Sequence, residues 1–236
     1  MSPAKPARPE LAELQIADPP GRWQALGFVV HDGDRLALGA VGVTLGVPGE
    51  GITGWSIAGI DPAITSLDGL PTTQPPPDRP LPASRHPNGA TGLDQVVIAT
   101  PDFERTADAL TAAGVPLRRI RDAPGGFRQG FRRLGPAILE LVEMPQAPAG
   151  PLDSPHAPAG PARFWGLVVI VADLEALAVE LKHRLGPIRP AVQPGRQIAT
   201  LNKAAGLSPR VAFMDPEPDR LNRAPIPSTP TPPNPS

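Results

Sequence analysis

Two stretches of the chain carry the same succession of apolar and polar positions. Leu93-Asp94-Gln95-Val96-Val97-Ile98-Ala99-Thr100 is a short run rich in β-branched residues, as a buried strand requires. Pro101 and Asp102 follow, then Phe103, Ala107 and Leu110 recur on one helical face, and Gly114 with Pro116 ends the pattern. Thr100 or Asp102 suits the helix N-cap, with Glu104 near the positive end of the dipole. The second stretch repeats this order. Leu167-Val168-Val169-Ile170-Val171 predicts a strand and Asp173 a cap. Leu174, Leu177, Ala178, Leu181 and Leu185 form an apolar stripe that Gly186 and Pro187 close. Asp102 aligns with Asp173, and Phe127-Arg128-Gln129 aligns with Gly195-Arg196-Gln197. A final strand is expected at residues 137–142 and again at 210–214. The predicted fold is therefore α+β, with two βαβββ units facing each other across a shared cleft; a repeat of this length outweighs any single motif.

The preceding segment, residues 11–70, reads as mostly β. Trp23-Gln24-Ala25-Leu26 resembles a helix end, His31-Asp32-Gly33-Asp34 has turn chemistry, and Val41, Val43, Leu45 and Val47 alternate with small residues. It is expected to be part of a similar unit without its opening strand and helix. Three Pro-rich stretches punctuate the chain, and none has apolar periodicity. The expected organisation is an N-terminal mostly-β segment at 1–70, a linker at 71–90, a first module at 91–144, a linker at 145–162, a second module at 163–215 and a disordered tail at 216–236.

Composition narrows the function. The 36 Pro and 24 Gly are not spread evenly, and the Pro clusters mark those stretches. A formal net charge of −1 argues against a nucleic-acid binder and gives no reason to sit on an anionic membrane. With no cysteine, a thiolate metal site, a disulfide and a cysteine nucleophile are excluded. No apolar run reaches the roughly 20 residues of a membrane span, and no h-region follows Lys5 and Arg8. A cytoplasmic location is expected. No P-loop, dinucleotide fingerprint or Ser-His-Asp arrangement is visible.

The run from Leu93 to Asp102, the helix ended by Gly114, and Leu134-Gly135-Pro136-Ala137-Ile138-Leu139-Glu140-Leu141 resemble the glyoxalase/bleomycin-resistance/extradiol-dioxygenase superfamily, whose fold is called vicinal oxygen chelate. Phe164-Trp165-Gly166 through Met214 resembles its partner module. The resemblance implies a half-open barrel of paired modules. It also implies a metal held by His, Gln and Glu from the first and last strands of each, with open positions for a chelating substrate. The first-strand positions carry over to Gln95 and Gly166. The last-strand positions carry over to Glu140 and to Phe213, or to Met214 if the register slips by one. Only Gln95 and Glu140 can ligate, which makes the metal site incomplete.

Further candidates come from the residues themselves. Arg128, Gln129, Arg196 and Gln197 recur as pairs and could grip an anion; the competing reading is solvated strand-start residues, which the abundance of Arg118, Arg119, Arg121, Arg132 and Arg133 favours. His86 precedes the first module and would join Gln95 and Glu140 as a third metal ligand if its linker turned back. His31, His156 and His183 read as turn, loop and helix-end residues. Trp165 is expected to line an apolar pocket. Glu140 is the candidate catalytic residue, as ligand or general base. The favoured reading is a glyoxalase-like protein that binds a small anionic or oxygen-rich molecule, with either no cofactor or a divalent metal. The alternative is a metal-dependent lyase, isomerase or dioxygenase. Superfamily members often dimerise, so a homodimer is among the expected assemblies.

Overall fold

The structure, a computed structural model, describes residues 8–76, 80–82, 85–123, 126–144 and 160–217. The expected linker at 145–162 and tail at 216–236 lie largely outside them, as does His156.

The N-terminal segment contains β1 (Glu10–Ile16), α1 (Pro20–Gln24), β2 (Arg35–Leu38), β3 (Val41–Leu45), β4 (Ile52–Ala58), β5 (Ser66–Leu67) and β6 (Leu70–Thr73). The next part contains β7 (Ala90–Thr100), α2 (Phe103–Ala112), β8 (Arg119–Asp122), β9 (Arg128–Leu134) and β10 (Ala137–Glu143). Last come β11 (Arg163–Val171), α3 (Leu174–Leu181), β12 (Arg189–Pro190), β13 (Gln197–Thr200) and β14 (Arg210–Met214). Asp102 and Asp173 cap α2 and α3, accepting from the backbone N–H of Arg105 at 3.1 Å and of Ala176 at 2.8 Å. The matching caps seen in the sequence thus do the same job in both modules.

The strands form two sheets, ordered β2-β3-β1-β4-β6-β5 and β12-β13-β14-β11-β7-β10-β9-β8. In the larger sheet each module pairs its first strand in parallel with its last, β7 with β10 and β11 with β14. The two first strands then meet antiparallel, β11 on β7. The chain therefore has an α+β fold of paired βαβββ modules.

The smaller sheet repeats that plan. β1 pairs parallel with β3, β4 parallel with β6, and β1 antiparallel with β4. An opening strand and a short helix, absent from the sequence-based expectation, are present as β1 and α1. A second abbreviated copy, β4 to β6, has no helix.

Each of the four first strands also carries a β-bulge at the matching place. The register shifts leave Ala12 and Thr53 unmatched between β1 and β4, and Trp165, Asp94 and Thr91 unmatched between β7 and β11. The residues that follow are Glu13, Gly54, Gln95 and Gly166. A bulge kinks a strand and re-aims side chains, which is why bulges gather beside sites.

One hydrophobic core joins the sheets. Leu14, Trp55, Val96, Ile98, Leu167 and Val169 are buried in a single cluster. Trp55 meets Phe164 edge-to-face at 5.3 Å, and Phe28 stacks on Phe213 at 6.2 Å. Phe213 is fully buried, so truncating it to Ala would cost about 3–5 kcal/mol. With the apolar faces spent on this core, the other face of the eight-stranded sheet is left to line a cleft.

Candidate functional site

The cleft encloses about 1070 Å³, ample for a drug-sized molecule. Its lining follows from strand alternation. On β10, Leu139 and Leu141 are fully buried, so Ile138, Glu140 and Val142 take the opposite face and enter the cleft. Gln95 and Val97 on β7, Phe131 and Gln129 on β9, and Arg119 and Arg121 on β8 fall on the same side by register. From the second module come Val168, Ile198, Ala212 and Met214.

Glu140 is the one acid among the described residues that line the cleft. Its Oε1 accepts from Gln129 Nε2 at 3.1 Å, and Gln129 Oε1 accepts from Arg121 Nε at 2.9 Å. Arginine can only donate, so the order Arg121, Gln129, Glu140 fixes the amide orientation. Burial pushes the Glu140 carboxyl above the usual glutamate range; the Arg121 charge opposes this and the Asp94 charge adds to it. Gln95, 5 % exposed, hydrogen-bonds to no other side chain among the described residues. Arg119, Arg121 and Arg133 line the cleft and form no ion pair among the described residues, while Arg121 also stacks over Phe131 at 4.9 Å. On the other side Arg210 lies 4.9 Å over the ring of Trp165, the bulged residue of β11.

Several sequence candidates sit elsewhere. Arg128 is clamped by Glu143 at 3.1 Å, touches Glu104, and covers the Phe103 ring at 4.5 Å, outside the cleft lining. Hydrogen bonding to Arg128 lowers the Glu143 carboxyl below its ordinary range. Arg196 is buried and committed, donating to Asp94 at 2.9 Å and to the Asp215 carbonyl at 2.7 Å. Gln197 is exposed and outside the lining. Of the two repeated pairs, only Gln129 reaches the cleft, while both arginines are held in ion pairs.

His86 is also removed from the cleft. Its Nδ1 accepts from the Val29 N–H at 3.0 Å, which leaves Nε2 protonated and donating to the Ala37 carbonyl at 2.7 Å. Both ring nitrogens are used, and the ring packs against Phe28 at 5.4 Å. No lone pair remains for a metal.

The register also corrects the last-strand position of the second module. Val168 stands opposite both Gln95 and Ala212, and Gly166 opposite Arg210, so the counterpart of Glu140 is Ala212. Phe213 faces the core, and Met214 lies one cleft-facing step further along β14. At Gly166 an added Cβ would meet the Arg210 carbonyl oxygen at 2.3 Å. The backbone itself excludes a side chain there. The four positions thus offer Gln95, Glu140, Gly166 and Ala212, and among the described residues no three of His, Asp and Glu gather as a metal site would need. This donor set does not fit the ligand set that the superfamily resemblance implies.

Sequence reasoning missed Arg119, Arg121, Phe131 and Arg133. A signal was present: 119 and 121, and 129, 131 and 133, alternate in step with the cleft face.

No protein-family model and no curated protein matches the sequence. Solved structures do. A mutant 4-hydroxymandelate synthase from Streptomyces coelicolor matches with a TM-score of 0.55 at 18% identity, covering 89% of this chain and 93% of that one. The chain has the vicinal-oxygen-chelate fold. Coverage of 89% requires both sheets, so the vicinal-oxygen-chelate plan extends through the N-terminal segment. Methylmalonyl-CoA epimerase from Mycobacterium tuberculosis matches with a TM-score of 0.42 at 21% identity, over 56% of this chain and 93% of that one. A Streptomyces coelicolor methylmalonyl-CoA epimerase variant in complex with 2-nitronate-propionyl-CoA matches with a TM-score of 0.41 at 19% identity, over 53% and 94%. The match to the synthase, at 18% identity, carries the fold and leaves the chemistry to the residues. No helix among the described residues is long and apolar enough to cross a membrane.

Proposed function

We propose that the chain binds a small-molecule anion in the cleft of the eight-stranded sheet, through its own side chains and without a complete metal site. The observation that carries this reading is the hydrogen-bonded line Arg121, Gln129, Glu140 inside a cleft whose other charged side chains are arginines free of ion pairs among the described residues. A carboxylate entering there would exchange water for guanidinium donors, with Gln95 available for a second polar group. The apolar floor, Val97, Ile138 and Val168, would take the body of the molecule.

The raised Glu140 carboxyl supports a second role at the same place. A carboxyl that holds its proton more readily than usual is a better proton donor partner for a bound group than an ordinary glutamate. That reading is a metal-free proton transfer, and it depends on the ligand binding first.

A calorimetric titration with benzoate and phenylpyruvate tests the binding. Micromolar to millimolar affinity is expected, weakened about tenfold by Arg121→Ala and unchanged by Arg128→Ala. Absence of binding by either acid, or equal loss from both substitutions, would sink the proposal.

A further inference from the structure

The charge of the cleft is concentrated on one side; across from it the second module contributes Arg210 alone, and that guanidinium lies over the Trp165 ring. The β8–β9 wall presents Arg119, Arg121 and Arg133. The opposite wall, beyond β11 and β14, ends in Ile198, Met214 and the loop at residues 190–194. That loop is largely apolar, being Pro190, Ala191, Val192, Gln193 and Pro194. Val192 lines the cleft and is nevertheless 71% exposed. An apolar group laid against it would cover surface that folding leaves open.

The loop is held in place rather than left free. The Ala191 N–H donates to the Arg196 carbonyl at 2.9 Å. The Arg196 side chain is in turn locked onto Asp94, the bulged residue beside Gln95. Arg196 therefore ties the apolar rim to the strand that presents the cleft amide. From β9 to β13 there are five interstrand steps, about 24 Å along the curved sheet at about 4.8 Å each, and less across the open barrel.

From this polarity we infer that the ligand is a long amphipathic monoanion, its charged head at Arg119, Arg121 and Arg133 and its apolar body reaching across the floor to Val192. The inference deepens the anion-binding reading above and rests on it. The head is recognised by guanidinium groups that form no ion pair among the described residues, and the body by a mainly apolar surface that includes Val168, Ile198, Met214 and Val192. Met214 and Ile198 would set how much of the chain is accepted before it meets the rim.

Straight-chain carboxylates test it: butanoate, octanoate and dodecanoate, titrated by calorimetry into the full chain at concentrations where each is monomeric, with dodecanol as the uncharged control. Affinity should rise roughly fourfold for each methylene that becomes buried. Val192→Asp, at an exposed position that does not disturb folding, should remove much of the gain for dodecanoate and leave butanoate unchanged. Arg119→Ala with Arg133→Ala should weaken all three acids by a common factor. Three results overturn the inference: acids of every length binding equally, dodecanol binding as tightly as dodecanoate, or Val192→Asp leaving dodecanoate unaffected. In these cases anion binding itself still stands if benzoate binds through Arg121. If no acid binds at all, both readings fail together.

Discussion

Asp68 and Arg105 tie the smaller sheet to α2, with Arg105 Nε 2.8 Å from Asp68 Oδ1 and Nη2 3.3 Å from Oδ2. Asp68 sits on the turn between β5 and β6 with a φ of 46°, and Thr106 of α2 also donates to it. Asp68→Asn keeps the turn, because Asn tolerates the left-handed region, but loses the charge. Arg105 is about one-third exposed, with 35% of its side chain accessible, so solvent softens the loss. Denaturant unfolding should show a drop of about 1–2 kcal/mol for Asp68→Asn, from charged hydrogen bonds. Asp68→Ala should lose roughly a further 1 kcal/mol through left-handed backbone strain.

Glu140 gives the chain a pH-dependent stability with a definite sign. Its folded pKa is raised, so its contribution is fully present below the ordinary glutamate range and is lost as pH rises through the folded value. Glu140→Gln keeps an acceptor for Gln129 and removes the ionisation. Thermal unfolding across pH should therefore show the substituted protein gaining on the wild type as pH rises through that window. A constant difference from acid to neutral pH would contradict the raised carboxyl.

Arg121 opposes that rise through its charge. Replacing it with Met should push the Glu140 carboxyl higher still, read by carbon-13 NMR titration of the glutamate side chains. A downward movement would mean that Arg121 does not sense Glu140.

His86 separates structure from ligation. His86→Ala leaves the Val29 N–H and the Ala37 carbonyl without their side-chain partner, a loss of roughly 2–4 kcal/mol for two buried groups. The metal content of protein purified without chelator should not change. A fall in bound metal with unaltered stability would restore His86 as a ligand.

Gly166 tests whether the missing ligand can be replaced. Gly166→Ala pushes a methyl group into the Arg210 carbonyl and should destabilise by about 1–3 kcal/mol, the usual range for overpacking. Metal binding gained by Gly166→His in a stably folded protein would show that the backbone yields after all.

Much of the larger sheet was legible because each cue was local. Asp102 and Asp173 announce helix starts within a few residues, and the β-branched runs before them announce buried strands. The smaller sheet hid its plan because α1 is five residues long, begins at Pro20 and buries only Trp23, so no apolar stripe marks it. The echo of Gln15-Ile16-Ala17-Asp18-Pro19 in Val97-Ile98-Ala99-Thr100-Pro101 was nevertheless there to be read. Gln95, Glu140, Gln129 and Trp165 reach the cleft, whereas Arg128, Arg196 and His86 do not. Residue type alone could not separate them. Arg128 and Arg121 look alike in sequence, and only the neighbouring Glu143 and Glu104 decide that one is spent in an ion pair. The displacement from Phe213 to Ala212 has a similar origin, since side chains change face with every residue and one step exchanges cleft for core.

The bulges at Asp94 and Trp165 act as a ratchet. Two irregular strands interlocked at matched points cannot slide past one another by one residue without breaking both, so the spacing between Gln95 and Trp165 is set when the chain folds. For the anion proposed above, this part of the cleft would need no assembly on binding. Tight binding would then demand no closing motion, and affinity should follow how well the visitor fits the walls as they stand.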